Sequence, residues 1–248
     1  MAGHSKWANI KHRKGKADAA RGKVFSKIAK EIIVAAAAGG GNVDDNIQLR
    51  ALVQKAKGVS MPKDNIDRAI KKGTGELEGG QLIEGSYEGY AAGGIAVVVK
   101  VLTDNKNRSI SEVRHAFTKA GANMADQGAV SRMFQRKGQI FIDKEKTDEE
   151  TLMDLVLEAG AEDVREDGSN FEVICALEDF EAVKAAVEKA SIPCIDAEVT
   201  MLPQSTTNLA GKRAEQMVRL MEALEDCDDV QKVYTNADIP DDVVERMS

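Results

Sequence analysis

Residues 138–202 constrain the fold more than any other stretch of the chain. A strand-like run at 139–143 (QIFID) precedes a helical stretch with Leu152, Leu155 and Val156 on its inward side. Two short strand-like runs follow, 162–166 and 170–177, joined by Asp167-Gly168, a hairpin turn signal. A second amphipathic helix carries Phe180, Val183 and Val187 inward and leads to a strand over 194–202. The order is β-α-β-β-α-β, the split unit of ferredoxin-like folds.

The first 80 residues have a different period. Val24, Ile28 and Ile32 repeat every four residues, with Phe25, Ala29, Ile33 and Ala36 beside them, so an apolar stripe runs along one helix face. Gly39–Gly41 end this helix, because glycine takes the left-handed cap conformation without strain. A second helix is expected from Asp44-Asp45 through Ile47, Leu52, Val53 and Ala56. A third follows Pro62 and carries Ile66, Ala69 and Ile70. Three short amphipathic helices can bury a shared core as a bundle. The glycine-rich stretch 71–80 (KKGTGELEGG) has no apolar period and reads as a linker.

Between bundle and split unit, strands are expected over 82–90, 95–102 and 129–134, with a helix over 108–120. This set lacks a second helix–strand pair, and residues 205–237 supply one, a helix over 212–224 and a strand over 230–236. Half a layer cannot bury its sheet alone. The expectation is therefore an α+β, multi-domain chain: an N-terminal helical bundle and two ferredoxin-like-type α+β domains, one inserted in the other. The domains are 1–80, then 82–134 plus 203–240, with 138–202 inserted. A length of 248 residues suits two or three domains.

The formal net charge of −7 conceals a strong asymmetry. Residues 1–30 hold nine Lys/Arg against one acid, a net of +8, and residues 31–80 hold seven of each. Residues 81–248 hold 18 bases against 33 acids, a net of −15. The basic arm contains Lys6, Trp7, Lys11, His12, Arg13, Lys14 and Lys16 and continues to Arg21 and Lys23. Such clusters bind polyphosphate backbones by releasing counterions. Trp7, the single tryptophan, can stack on an unpaired base or anchor the arm on the bundle. The run 103–109 (TDNKNRS) links a strand to a helix. Its Asp and Asn residues suit capping, while Lys106 and Arg108 at a helix N-terminus can instead hold a phosphate.

The sequence holds no catalytic constellation. GTGELEG at 73–79 has its last glycine one position late for a dinucleotide fingerprint and follows a helix rather than a strand. Neither GxxxxGK[ST] nor GxSxG occurs. His4, His12 and His115 are not spaced with Cys175, Cys194 or Cys227 as metal ligands, and no CxxC pair exists. The acidic run 225–229 (EDCDD) lacks calcium-loop spacing and reads as a solvated helix end. No apolar stretch is long enough to cross a bilayer, and no secretory signal opens the chain. A cytoplasmic protein without metal or cofactor is expected.

Several of these segments resemble one family throughout the chain. MAGHSKWANIKHRKGKADAARGKVFSK, MPKDNIDRAIKKGTGE, YEGYAAGGIAVVV, TDNKNRSISEVRHAFTKAGAN, LEAGAEDV and LEDCDDVQKVY are similar to YebC/PmpR sequences. Lys106 departs mildly, standing where many members carry arginine. The resemblance implies three domains and a non-enzymatic, cytoplasmic regulator of gene expression. Bacterial members are described as DNA-binding transcriptional regulators, while others resemble translation factors acting at the ribosome, notably on proline-rich nascent sequence.

Three functions are thus expected in order. The first is a DNA-binding transcriptional regulator contacting phosphates through Lys6, Lys11, Arg13, Lys14, Lys16, Arg21 and Lys23, with Trp7, His12, Lys106 and Arg108 in the same nucleic-acid-binding set. The second is a translation factor bound to ribosomal RNA. The third is a protein-interaction module using the acidic domains. No membrane partner is expected, and a monomer is the favoured state.

Overall fold

The computed structural model describes residues 19–79 and 81–247. The chain is α+β, with helices first and two antiparallel sheets after them. Helices α1 (Ala19–Gly39), α2 (Ile47–Gly58) and α3 (Lys63–Gly73) form the bundle. Their apolar stripes meet in a core of Ile28, Ile32, Leu49, Val53, Met61 and Ile66. Gly40, at φ +83, turns the chain after α1. The second helix begins two residues later than the acids predict, because Asn46 caps it. Its carboxamide oxygen accepts from the Leu49 amide at 3.0 Å, and its nitrogen donates to the carbonyls of Ala35 and Gly40 at 2.8 and 2.9 Å. Aspartate cannot donate, so only asparagine caps one helix while tying down the end of another.

The first sheet has the order β3-β1-β2-β9, built from β1 (Ile83–Ala91), β2 (Ile95–Thr103), β3 (Asn123–Ala125) and β9 (Val230–Thr235). Helix α4 (Lys106–Lys119) and helix α7 (Gly211–Glu225) cover one face. Ile95, Val97, Val99 and Val101 point into that core. Ala96 and Val98 face the other way and pack with Val130, Phe134 and Tyr234. Strand β2 is thus buried on both sides, which explains its unbroken apolar run.

The second sheet has the order β5-β6-β4-β7, from β4 (Phe134–Asp143), β5 (Ala161–Asp167), β6 (Asn170–Cys175) and β7 (Cys194–Pro203). Helices α5 (Glu149–Glu158) and α6 (Phe180–Lys189) lie on one face, over Ile140, Ile142, Val173 and the fully buried Cys175. Short strands β8 (Thr207–Asn208) and β10 (Ala237–Asp238) pair in parallel, and α8 (Asp241–Met247) closes the chain.

Four expectations are corrected. Residues 129–134 do not form a strand: Ser131–Met133 is a 3-10 turn and β4 begins at Phe134. The cause is Glu88, whose carboxylate accepts from the amides of Gly128, Val130 and Ser131 at 2.9, 2.7 and 3.0 Å and withdraws them from any ladder. Burial opposes ionisation of Glu88, but those amides hold its carboxyl below the usual range. Residues 71–73 belong to α3 rather than to a linker. The strand expected over 170–177 stops at Cys175. Helix α8 was not expected, yet Val243 and Val244 are buried in the core beneath α7.

Candidate nucleic-acid interface

Lys6, Trp7, Lys11, His12, Arg13, Lys14 and Lys16 lie outside the described residues. Arg21 falls in the first turns of α1. The arm therefore enters the described structure at the start of α1, and the geometry there is built from helix periodicity. Lys23, Lys27 and Lys30 stand at i, i+4 and i+7, on one face of the helix.

That face meets the acidic end of α7. Lys23 Nζ lies 2.7 Å from Asp226 Oδ1, Lys27 Nζ donates to the Glu225 carbonyl at 3.2 Å, and Lys30 Nζ donates to the Asp228 carbonyl at 2.8 Å. Cations at a helix C-terminus complement both its unpaired carbonyls and its dipole. The run 225–229 is thus not simply a solvated helix end, as its sequence suggests.

Asp229 sits at the centre of this junction and is fully buried. Its carboxylate accepts from Lys30 Nζ at 2.7 Å, Ser109 Oγ at 2.7 Å, Thr103 Oγ1 at 3.0 Å and both Nε and Nη2 of Arg108 at 2.7–3.0 Å. Burial pushes this carboxyl upward, but the bonds from Lys30, Ser109, Arg108 and Thr103 outweigh it and hold the pKa at about 2. Arg108 is correspondingly pushed up by its bonds to Asp229 and then to Asp104, whose Oδ1 lies 2.8 Å away.

The structure therefore brings Lys23 and Arg108 to one junction, although 85 positions separate them in sequence. It also places Arg108 on carboxylates. A phosphate at the start of α4 would have to displace Asp229. The capping residues behave as the sequence suggests: Asn105 Oδ1 accepts from the Arg108 amide at 3.1 Å. Lys106 opens α4 with an exposed side chain that pairs with none of the described residues. His115 is exposed on the same helix.

Further exposed bases lie on the bundle. Lys57 of α2 and Lys63, Arg68, Lys71 and Lys72 of α3 form no ion pair with a described residue, whereas Lys55 pairs with Glu31 at 3.1 Å. Lys27, Lys30 and Asp229 were not singled out from the sequence. The four- and three-residue spacing of the lysines signalled a shared face, but nothing in the chain marked what that face would meet. Among the described residues no group of His, Cys, Asp and Glu is arranged to hold a metal ion, and no helix is long and apolar enough to cross a membrane.

Comparison with known proteins covers almost the whole chain. The family model for the TACO1/YebC N-terminal domain matches residues 5–76, and that for the TACO1/YebC second and third domain matches residues 82–237. A probable transcriptional regulatory protein of Desulforapulum autotrophicum is 60% identical over 247 residues, covering 100% of both chains. Another from Geobacter sulfurreducens is 53% identical over 247 residues, again covering 100% of both. The crystal structure of a conserved hypothetical protein from Aquifex aeolicus superposes with a TM-score of 0.82 at 46% identity, covering 92% of this chain and 94% of that one. With the arm, the bundle and both sheets all matched, the chain belongs to the TACO1/YebC family, the YebC/PmpR family its sequence resembles.

Proposed function

We propose that the protein is a non-enzymatic regulator of gene expression that binds nucleic acid through its basic N-terminal end. The observation that carries this reading is the charge segregation: nine Lys/Arg against one acid in the first 30 residues, on a chain whose net charge is −7. Lys6, Lys11, Arg13, Lys14, Lys16 and Arg21 supply phosphate contacts, with Lys23 and Lys106 at their margin, and Trp7 and His12 lie among them. Exposed Lys57, Lys63, Arg68, Lys71 and Lys72 extend the footprint onto the bundle. Relatives called probable transcriptional regulatory proteins support DNA as the target.

A second reading is favoured by one specific feature. Trp7 lies inside the basic cluster, and an aromatic among bases suits unpaired nucleotides better than a duplex. In that case the partner is ribosomal RNA and the protein acts in translation. Either way the labour divides along the domains 1–80, 82–134 plus 203–240, and 138–202, with the first in contact with nucleic acid. The protein acts in the cytoplasm, as a monomer.

Ultraviolet crosslinking in cells, followed by sequencing of the bound nucleic acid, tests the proposal. Promoter DNA is the expected catch for the transcriptional reading and ribosomal RNA for the translational one. Recovery no greater than that of a variant lacking residues 1–18 would overturn both.

A further inference from the structure

The bundle carries a groove of about 320 Å³ that the lysine junction does not use. It runs between α1 and α3. Phe25, Ala29 and Ile33 form one wall, with Met61 and Ala69 opposite. Phe25, Ala29 and Ile33 are only partly buried, packed against the bundle core from outside. Arg68 and Lys72 stand at i and i+4 on the rim, and Ser26 and Asn65 add the polar groups. Among the described residues no acidic side chain lines the groove.

An apolar slot with an aromatic wall and a purely cationic rim selects a ligand that is flat, apolar on its faces and negatively charged at its ends. Neither Arg68 nor Lys72 forms an ion pair with a described residue, so their charge is available to such a ligand. The volume lies at the lower end of small-ligand sites, roughly 300–1,000 Å³, which suits one planar group better than the row of anchors a docking helix presents. Gly22 lines the groove three residues after α1 begins, so the basic arm enters the bundle at this end.

We propose that this groove binds an unpaired base of a single-stranded nucleic acid, stacked on Phe25, with the flanking phosphates on Arg68 and Lys72. A duplex hides its base faces in the stack and offers this slot nothing to hold. The proposal rests on the nucleic-acid reading above and specifies strand state: the arm supplies sequence-independent attraction, and the groove prefers single strands.

Fluorescence anisotropy of a labelled 20-nucleotide uridine-rich RNA, beside a DNA duplex of equal length, tests it on the full-length protein. Phe25→Leu keeps apolar volume and removes the aromatic face; it is expected to weaken single-strand binding about tenfold and leave duplex binding unchanged. Arg68→Ala/Lys72→Ala is expected to lower the salt slope by about two units. Thermal melts of each variant separate lost binding from lost folding. A 4-thiouridine probe is expected to crosslink within α1 or α3.

If both groove variants bind the single strand like wild type while Lys11→Ala/Arg13→Ala/Lys14→Ala loses binding, the groove proposal is overturned and the nucleic-acid reading stands. If the wild-type protein binds neither probe, that reading falls and takes the groove with it. Should the groove hold Trp7 of the same chain, Phe25→Leu will shift tryptophan emission without any RNA present and leave affinity unchanged, which also overturns the proposal.

Discussion

At the scale of single residues, Asp229 ties together elements that are all remote from it in sequence: α1 through Lys30, the end of β2 through Thr103, and the start of α4 through Arg108 and Ser109. A buried carboxylate is costly unless it is paired and hydrogen-bonded, and this one is both. Its folded pKa of about 2 lies below the unfolded value of about 3.9. The stabilisation is therefore present above pH about 4 and is lost as pH falls towards about 2. Asp229→Asn is expected to destabilise the protein by about 2 kcal/mol at pH 7 and to narrow that deficit towards pH 3. Urea midpoints at the two pH values check this, and a deficit that does not change with pH would contradict it. None of this was legible in the acidic run 225–229. Asp226 and Asp228 are exposed while Asp229 is fully buried, and only the turn into β9 decides which one points inward.

Among the elements, those with a clear period were legible and those set by tertiary demands were not. The stripe of α1 from Phe25 onward and that of α3, the apolar run of β2 and the alternation of helix and strand in residues 138–202 follow directly from side-chain spacing, whereas Val24, assigned to the α1 stripe, is exposed one turn from the helix start. The strand expected over 129–134 fails because a buried carboxylate on a neighbouring strand captures its amides, a demand no local window contains. Gly73 makes the same point. In sequence it belongs to a glycine-rich stretch, but in the fold it is the last residue of α3, seated on α1. A Cβ there would lie 2.4 Å from the Ile33 carbonyl oxygen and 2.7 Å from Ala36 Cβ. Gly73→Ala must push the two helices apart and is expected to cost about 1–3 kcal/mol. Gly22→Ala, in the same bundle with open space around its Cβ, is expected to stabilise by about 0.5–1 kcal/mol. Chemical melts of the two variants should move in opposite directions; a shared direction would refute the close-packing account.

For the whole molecule, the asymmetry of charge was legible but its geometry was not. The sequence suggests a basic end turned away from an acidic body. In the fold, part of the basic end is held by that body, since Lys23, Lys27 and Lys30 rest on the end of α7. The exposed pair Lys23–Asp226, at 43% and 69% side-chain exposure, is worth little on its own. The buried Asp229 ties α1 of the bundle to the end of β2 and the start of α4 through Lys30. The junction holds these lysines and orients α1, while the sequence before Ala19 adds five further bases against one acid. Seven bases in residues 1–23, from Lys6 to Lys23, precede the lysines held on α7 or overlap them only at Lys23.

The central claim is that this arm binds nucleic acid by neutralising phosphates. It is tested most directly by the salt dependence of oligonucleotide affinity for the wild-type protein and for Lys11→Ala/Arg13→Ala/Lys14→Ala. The account predicts weaker binding by the variant and a plot of log affinity against log salt that is flatter by about three units, one per lost contact. Equal affinity and an unchanged slope would contradict it.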